Sequence, residues 1–193
     1  MEDLRGLLRE LDVQDDEQVE QVHALLINYG EAALPDLNEL INSNNSEKSA
    51  LAISALSHLH HPTSQSTIFR GLSDPDPIVR YSALLGLRRQ PNPTALPTLV
   101  QFLCEEDPLL ARLAIDALTA IGEDSIPVLV DILERQRPHG RIEAARALAS
   151  IDHNDVIQPL LKALGDRSTL VDYWAREGLI RRGLGLVFFS PGA

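Results

Sequence analysis

The feature that most constrains this chain is a rhythm of about 31 residues. Ala24-Leu25 recurs as Ala55-Leu56, Gly86-Leu87, Ala117-Leu118, Ala147-Leu148 and Gly178-Leu179, with leucines 31, 31, 31, 30 and 31 residues apart. A second apolar column, Leu11, Ile41, Leu72, Leu103, Leu133 and Leu164, steps by 30, 31, 31, 30 and 31. The short step from Leu118 to Leu148 coincides with that from Leu103 to Leu133, as one deletion in that repeat would produce. Two columns with one shared period describe a supersecondary unit used several times over.

Each unit reads as helix A, a turn, helix B and a second turn. In one repeat, Ala95 to Leu103 forms helix A, with Leu96, Leu99, Val100 and Leu103 on one stripe. Glu105 to Pro108 forms the turn, Leu109 to Ile121 forms helix B, and Gly122 closes it. Pro35, Pro97 and Pro127 fall in register in the first turn of helix A, where a missing N–H costs nothing. Asp74-Pro75-Asp76-Pro77 and Asp107-Pro108 precede helix B, where a carboxylate can accept from free N–H groups. Gly30, Gly122 and Gly183 follow helix B, where a positive φ is needed. A column of small residues, Ala52, Ala83, Ala114, Ala144 and Ala175, runs down helix B and lets successive pairs stack closely. No single pair buries its own apolar face, so several must stack.

The period, the proline of helix A, the Asp-Pro turn and the helix B pattern together resemble HEAT repeats. Leu72-Ser73-Asp74-Pro75-Asp76-Pro77-Ile78-Val79-Arg80-Tyr81-Ser82-Ala83 is similar to the turn and second helix of the phycobilisome-lyase HEAT-like family. The resemblance runs from about Leu34 to Gly183 and, more faintly, from Leu4 to Gly30. The closing segments Asp172 to Leu179 and Gly183 to Phe189 are similar to the C-termini of its cyanobacterial members. The expected fold is all-α, a right-handed α-solenoid of about six two-helix HEAT-like repeats in a single domain over 1–193. Residues 1–32 form its N-terminal capping repeat, 33–183 the core repeats and 184–193 a C-terminal tail. The tail, with its Leu184 to Phe189 apolar run, is expected to fold back over the last repeat or, alternatively, to dock as an exposed peptide into another protein.

Composition narrows the partners. The chain carries 17 Lys and Arg against 28 Asp and Glu, a net charge of −11. A nucleic-acid binder needs a surplus of cations over phosphate, so no nucleic-acid partner is expected. Cys104 is the only cysteine and reads as a small buried apolar residue, leaving no intramolecular disulfide and no CxxC site. Met1-Glu2-Asp3-Leu4-Arg5 carries no basic leader before an apolar run, and no stretch approaches a membrane span. A cytoplasmic protein is the expectation.

Chemistry is absent where an enzyme would show it. His58, His60 and His61 cluster in Ser57-His58-Leu59-His60-His61-Pro62, but no carboxylate or cysteine accompanies them, so they read as helix-end residues rather than metal ligands. No His-Glu dipeptide, P-loop, nucleophile elbow or HExxH helix occurs. No catalytic residue, metal or cofactor is expected.

A partner-binding ridge is the remaining candidate. In HEAT arrays the B helices line the concave face. Opposite the alanine column, helix B carries Tyr81, Arg112 and Tyr173 in one column and Asp116, Arg146 and Glu177, with Leu85, in the next. Arg80, Arg88 and Arg141 flank them. Arg and Tyr are frequent interface anchors. A protein partner is expected on a non-enzymatic scaffold or assembly factor. The resemblance implies an alternative: a phycobilin lyase or lyase-related chaperone subunit that works on a phycobiliprotein, with a second HEAT-like subunit and phycocyanobilin as the transferred ligand. There, Tyr81, Arg112, Arg146 and Tyr173 would bracket the bilin and its propionates.

Overall fold

A computed structural model describes residues 6–8, 10–12, 14–103, 107–135 and 138–184, without the side chains of Pro138 and His139. Cys104 and all of the tail beyond Leu184 lie outside these residues. All regular structure among the described residues is helical. The chain divides into two compact units, 1–91 and 92–193.

Unit 1 contains α1 (Asp16–Tyr29), α2 (Leu34–Ile41), α3 (Ser46–Leu56), α4 (Pro62–Gly71) and α5 (Pro77–Arg89). α2 pairs with α3 and α4 with α5, while the B helices α1, α3 and α5 pack in sequence. Unit 2 contains α6 (Leu96–Phe102), α7 (Pro108–Ile121), α8 (Ile126–Arg135), α9 (Pro138–Ser150), α10 (Ile157–Lys162) and α11 (Thr169–Arg181). Its hairpins are α6–α7, α8–α9 and α10–α11, with α9 packed between α7 and α11. Each unit is therefore a stack of two-helix repeats in chain order, the all-α solenoid architecture that the period predicts.

The local signals act where expected. Asp76 Oδ1 accepts from the Ile78 amide at 2.9 Å, and Asp107 Oδ1 from those of Leu109 and Leu110 at 2.9 and 3.2 Å. Each such cap stabilises its helix by about 1 kcal/mol. Asn45 caps α3 in the same way through the Lys48 amide at 2.9 Å. Pro35, Pro97 and Pro127 are the second residues of α2, α6 and α8. Gly30, Gly122 and Gly183 all take positive φ, at 57°, 80° and 75°. Helix A of the example repeat starts one residue later than the sequence suggests, because Pro93–Ala95 forms a 3-10 turn ahead of α6.

The five alanines of the column are completely buried, at 0% exposure. Leu56, Leu87, Leu118, Leu148 and Leu179 are buried beside them. The first repeat departs from the sequence reading. Leu26 and Val22 fill the core of α1, whereas Ala24 is exposed and Leu25 only half-buried. The true equivalent of Leu56 is thus Leu26, 30 residues earlier, matching the 30-residue step from Leu11 to Ile41. An incidental Ala-Leu pair masked this shift. Spacing of i, i+4 between Val22 and Leu26 is the helical signal that places the core face.

A candidate protein-interaction face on the B helices

A B helix has one face committed to its neighbours, and residues at i, i+3, i+7 and i+10 fall in a single arc on the opposite side. On α5 that stripe is Ile78, Tyr81, Leu85 and Arg88. On α7 it is Leu109, Arg112, Asp116 and Thr119. On α11 it is Leu170, Tyr173, Glu177 and Ile180. Among the described residues, the exposed large apolar side chains are Ile78, Leu85, Leu109, Leu170, Tyr173 and Ile180. All six lie on this stripe. Leu109, Leu170, Tyr173 and Ile180 are each about half exposed, at 49%, 51%, 50% and 49%. Water-exposed apolar side chains scattered singly need no explanation, but confinement to the same face of α5, α7 and α11 does.

The expected ridge residues sit on this stripe, in two groups. Tyr81 belongs to α5 of unit 1 and is partly buried. Arg112, Asp116, Arg146, Tyr173 and Glu177 belong to α7, α9 and α11 of unit 2. The structure joins Asp116 to Arg146, whose Nη2 reaches Asp116 Oδ1 at 2.8 Å across the α7–α9 seam. The same guanidinium donates through Nε to Glu143 Oε2 at 2.8 Å. Burial disfavours the charge of Arg146, but its hydrogen bonds to Asp116 and Glu143 outweigh it and raise its pKa. Glu143 was not anticipated as its partner, although i, i+3 spacing on α9 signals the contact. Tyr173 packs edge-on against Trp174, ring centroids 5.2 Å apart. Arg112 is exposed and Glu177 is half-buried.

Of the flanking arginines, Arg88 is exposed, whereas Arg80 and Arg141 are tied into the scaffold. Arg80 Nη1 donates to the carbonyls of Asp74 and Pro75 at 2.9 and 2.8 Å, bracing its own turn. Arg141 donates through Nε to the Leu133 carbonyl at 2.8 Å and pairs with Asp166 in the next repeat. Ile78, Leu109, Leu170 and Ile180 were missed because single apolar residues near helix ends carry no signal until all the B helices are aligned.

The histidine run disperses. His61 Nδ1 accepts from the Thr63 amide at 3.2 Å and caps α4. His60 is exposed, and His58 turns toward His23 of α1. Among the described residues no group of three His, Cys, Asp or Glu side chains is placed to hold a metal ion. No described helix is long and apolar enough to cross a membrane.

Comparison with known proteins now joins this geometry. The HEAT-repeat family profile matches residues 34–118 and again 96–180. The chain belongs to the HEAT-repeat family. This HEAT-repeat protein is 32% identical over 81 residues to phycocyanobilin lyase subunit beta of Thermosynechococcus vestitus, a match covering 42% of this chain and 38% of that one. It is 32% identical over 115 residues to the uncharacterized phycocyanin operon protein Z of Pseudanabaena tenuis, covering 55% of this chain and 57% of that one. Both matches therefore span well under two thirds of the relatives' lengths. Among solved structures it is similar to YibA of Escherichia coli, with a TM-score of 0.63 at 20% identity over 95% of this chain and 72% of that one. A designed armadillo repeat protein gives a TM-score of 0.57 at 18% identity, covering 94% of this chain and 99% of that one. These structural likenesses establish the repeat-solenoid fold.

Proposed function

We propose that this HEAT-repeat protein is a non-enzymatic scaffold or assembly factor, working in the cytoplasm, that binds a protein partner through the outward stripe of its B helices. The supporting observation is that every exposed large apolar side chain among the described residues falls on that stripe. In unit 2 the apolar positions surround a polar row of Arg112, Asp116, Arg146 and Glu177. Apolar anchors supply contact area while a fixed ion pair imposes register on the partner. The experiment is comparative capture from the native host. Leu109→Lys with Tyr173→Lys should weaken recovery of a stoichiometric protein roughly tenfold or more, while helicity stays intact. Arg135→Glu, at the end of α8, should leave recovery unchanged. Equal losses with both variants, or no loss with the first, would place the contact elsewhere.

The two curated relatives favour a second reading: a phycobilin lyase or lyase-related chaperone subunit whose protein partner is a phycobiliprotein. On it, Arg112 is the more available guanidinium for a propionate, since Arg146 already serves two carboxylates. Mixing the protein with apo-phycocyanin and phycocyanobilin, with and without a second HEAT-like subunit, tests this reading. It requires a change in bilin absorbance or a covalent adduct, and a flat spectrum in every mixture removes it.

A further inference from the structure

Unit 1 gathers a second set of polar groups away from the apolar positions. His23 comes from α1, His58 from the turn after α3, and Arg89 from the last residue of α5. The two imidazoles meet edge to face, with centroids 5.7 Å apart and planes at 76°. His23 Nε2 lies 3.1 Å from Ser54 Oγ. Arg89 Nη1 donates to Ser57 Oγ at 3.1 Å. The Nε2 atom of His58 is buried and has no hydrogen-bond partner among the described residues. Such an atom carries a desolvation cost unless something supplies the missing bond.

Arg89 is the fixed cation of this cluster, and the two imidazoles beside it resist protonation. Burial lowers the pKa of His23 most, followed by His58 and Arg89; burial and then Arg89 lower that of His58. Among the described residues no carboxylate pairs with any of the three bases. In a chain with net charge −11, a cluster of three basic side chains with no paired carboxylate among the described residues stands out. The geometry points to a binding site for a phosphate-type oxyanion, held by Arg89 together with the imidazoles of His23 and His58.

The shape of the donor set selects this class. Three donors from three helical segments, with two rings nearly perpendicular, do not lie in one plane. A planar carboxylate offers two oxygens in a plane and suits the fork of a single arginine. A tetrahedral phosphate offers oxygens in several directions and takes bonds from all three groups. Metal binding is disfavoured, because two imidazoles are fewer than a stable zinc site uses and a guanidinium adjoins them. Bound phosphate would favour the imidazolium forms, so the site takes up protons as it fills.

The test is imidazole NMR on the full chain, titrated with inorganic phosphate against chloride at constant ionic strength. O-phosphoserine in a parallel arm distinguishes a phosphomonoester source from the free ion, and acetate reports on carboxylates. Expected are saturable shifts of the His23 and His58 resonances with phosphate or O-phosphoserine. Arg89→Gln should weaken the binding by about tenfold or more, from loss of a charge-assisted hydrogen bond. If that variant misfolds by circular dichroism, His58→Gln is read in the same way through His23. Shifts that grow linearly without saturation, that acetate or chloride reproduces, or that persist in the folded variant at unchanged affinity overturn the site.

Discussion

The two units build the same stack of B helices but join successive repeats with different polar chemistry. In unit 1 the joining groups are mainly neutral amides, hydroxyls and imidazoles, with the Arg89 guanidinium on Ser57 beside them. Gln90 Nε2 donates to the carbonyls of Leu56, Ser57 and Leu59 at 3.2, 2.9 and 2.8 Å, closing the C-terminal end of α3 from the end of α5. In unit 2 a guanidinium does this work. Arg182, three residues after Leu179 as Gln90 is three after Leu87, donates to the Ala149 carbonyl at 3.3 Å, to the Gly178 carbonyl at 2.5 Å and to the Ile151 carbonyl. Ion pairs add to this: Arg146 with Asp116 and Arg141 with Asp166. The steric column is thus the invariant of the repeat, and the polar bond capping each B helix is interchangeable. Freed helix carbonyls need donors, and a neutral amide or a cation satisfies them.

The largest expected difference is steric and concerns the glycines that precede the buried leucines Leu87 and Leu179. A Cβ on Gly178 would stand 2.6 Å from Leu160 Cδ1 and 2.9 Å from the backbone Cα of Ala149. At Gly86 the nearest atoms are side-chain carbons of Ile68, at 3.2 and 3.3 Å. An Ile tip moves by a few tenths of an ångström, whereas a helix backbone moves only with its repeat. Gly178→Ala should therefore cost roughly 1–3 kcal/mol by overpacking. At Gly86 the helix-propensity gain of about 1 kcal/mol from alanine offsets the mild crowding, giving near neutrality. Denaturant midpoints of the two variants check this, and equal midpoints would refute a tighter seam in unit 2.

The next effect tests the interchangeable polar bond. Gln90→Ala removes a buried donor from three carbonyls and should destabilise by about 1–3 kcal/mol. Arg182→Ala should cost less, because its side chain is only half-buried and burial already lowers its pKa. Arg182→Gln should recover part of that loss by restoring the amide used in unit 1. A glutamine no better than alanine would show that unit 2 needs the cation and that the two solutions are not equivalent.

The part of this comparison written into the sequence is the steric part. Ala52, Ala83, Ala114, Ala144 and Ala175 recur because each must fit one close helix approach, so one substitution pattern repeats. Asp76, Asp107 and Gly122 act locally, on N–H or carbonyl groups a few residues away, and were legible for that reason. The HEAT resemblance rested on these same elements. Contacts such as Gln90 to Leu59 or His23 to Ser54 span about one period, and the polar residue type that makes each does not recur from repeat to repeat. With no repetition to average over, a polar residue at such a place reads like any loop residue. The candidate stripe lay between these cases. Arg112 and Tyr173 stood out by residue type, whereas Leu109 and Leu170 became informative only when their exposure was known.

The smallest expected effect is a difference in pH response, and its pH window separates the imidazole chemistry of unit 1 from the carboxylates. His23 and His58 titrate below the ordinary value of 6.5 in the fold, through burial and neighbouring cations. An unfolded chain binds protons there that the native state refuses. Stability should consequently fall as pH drops below about 6.5 and level off once the native histidines are also protonated. Asp172 has linkage of the same sign in a lower pH window: the Arg176 guanidinium and the Gly165 amide hold its pKa below 3.8. Burial opposes the charge of Asp166, but the Ser168 amide and Arg141 prevail and lower its pKa too. Asp76 of unit 1 is shifted the same way by Ser46 and the Ile78 amide. These carboxylates stabilise the fold above their ordinary pKa and lose that contribution as pH falls through the lowered native values. Two limbs should appear when denaturant midpoints are followed from pH 8 to pH 3. His23→Gln combined with His58→Gln should flatten the upper limb and leave the lower one in place. An upper limb of undiminished slope in that double variant would mean that groups outside the imidazole pair govern stability near neutrality.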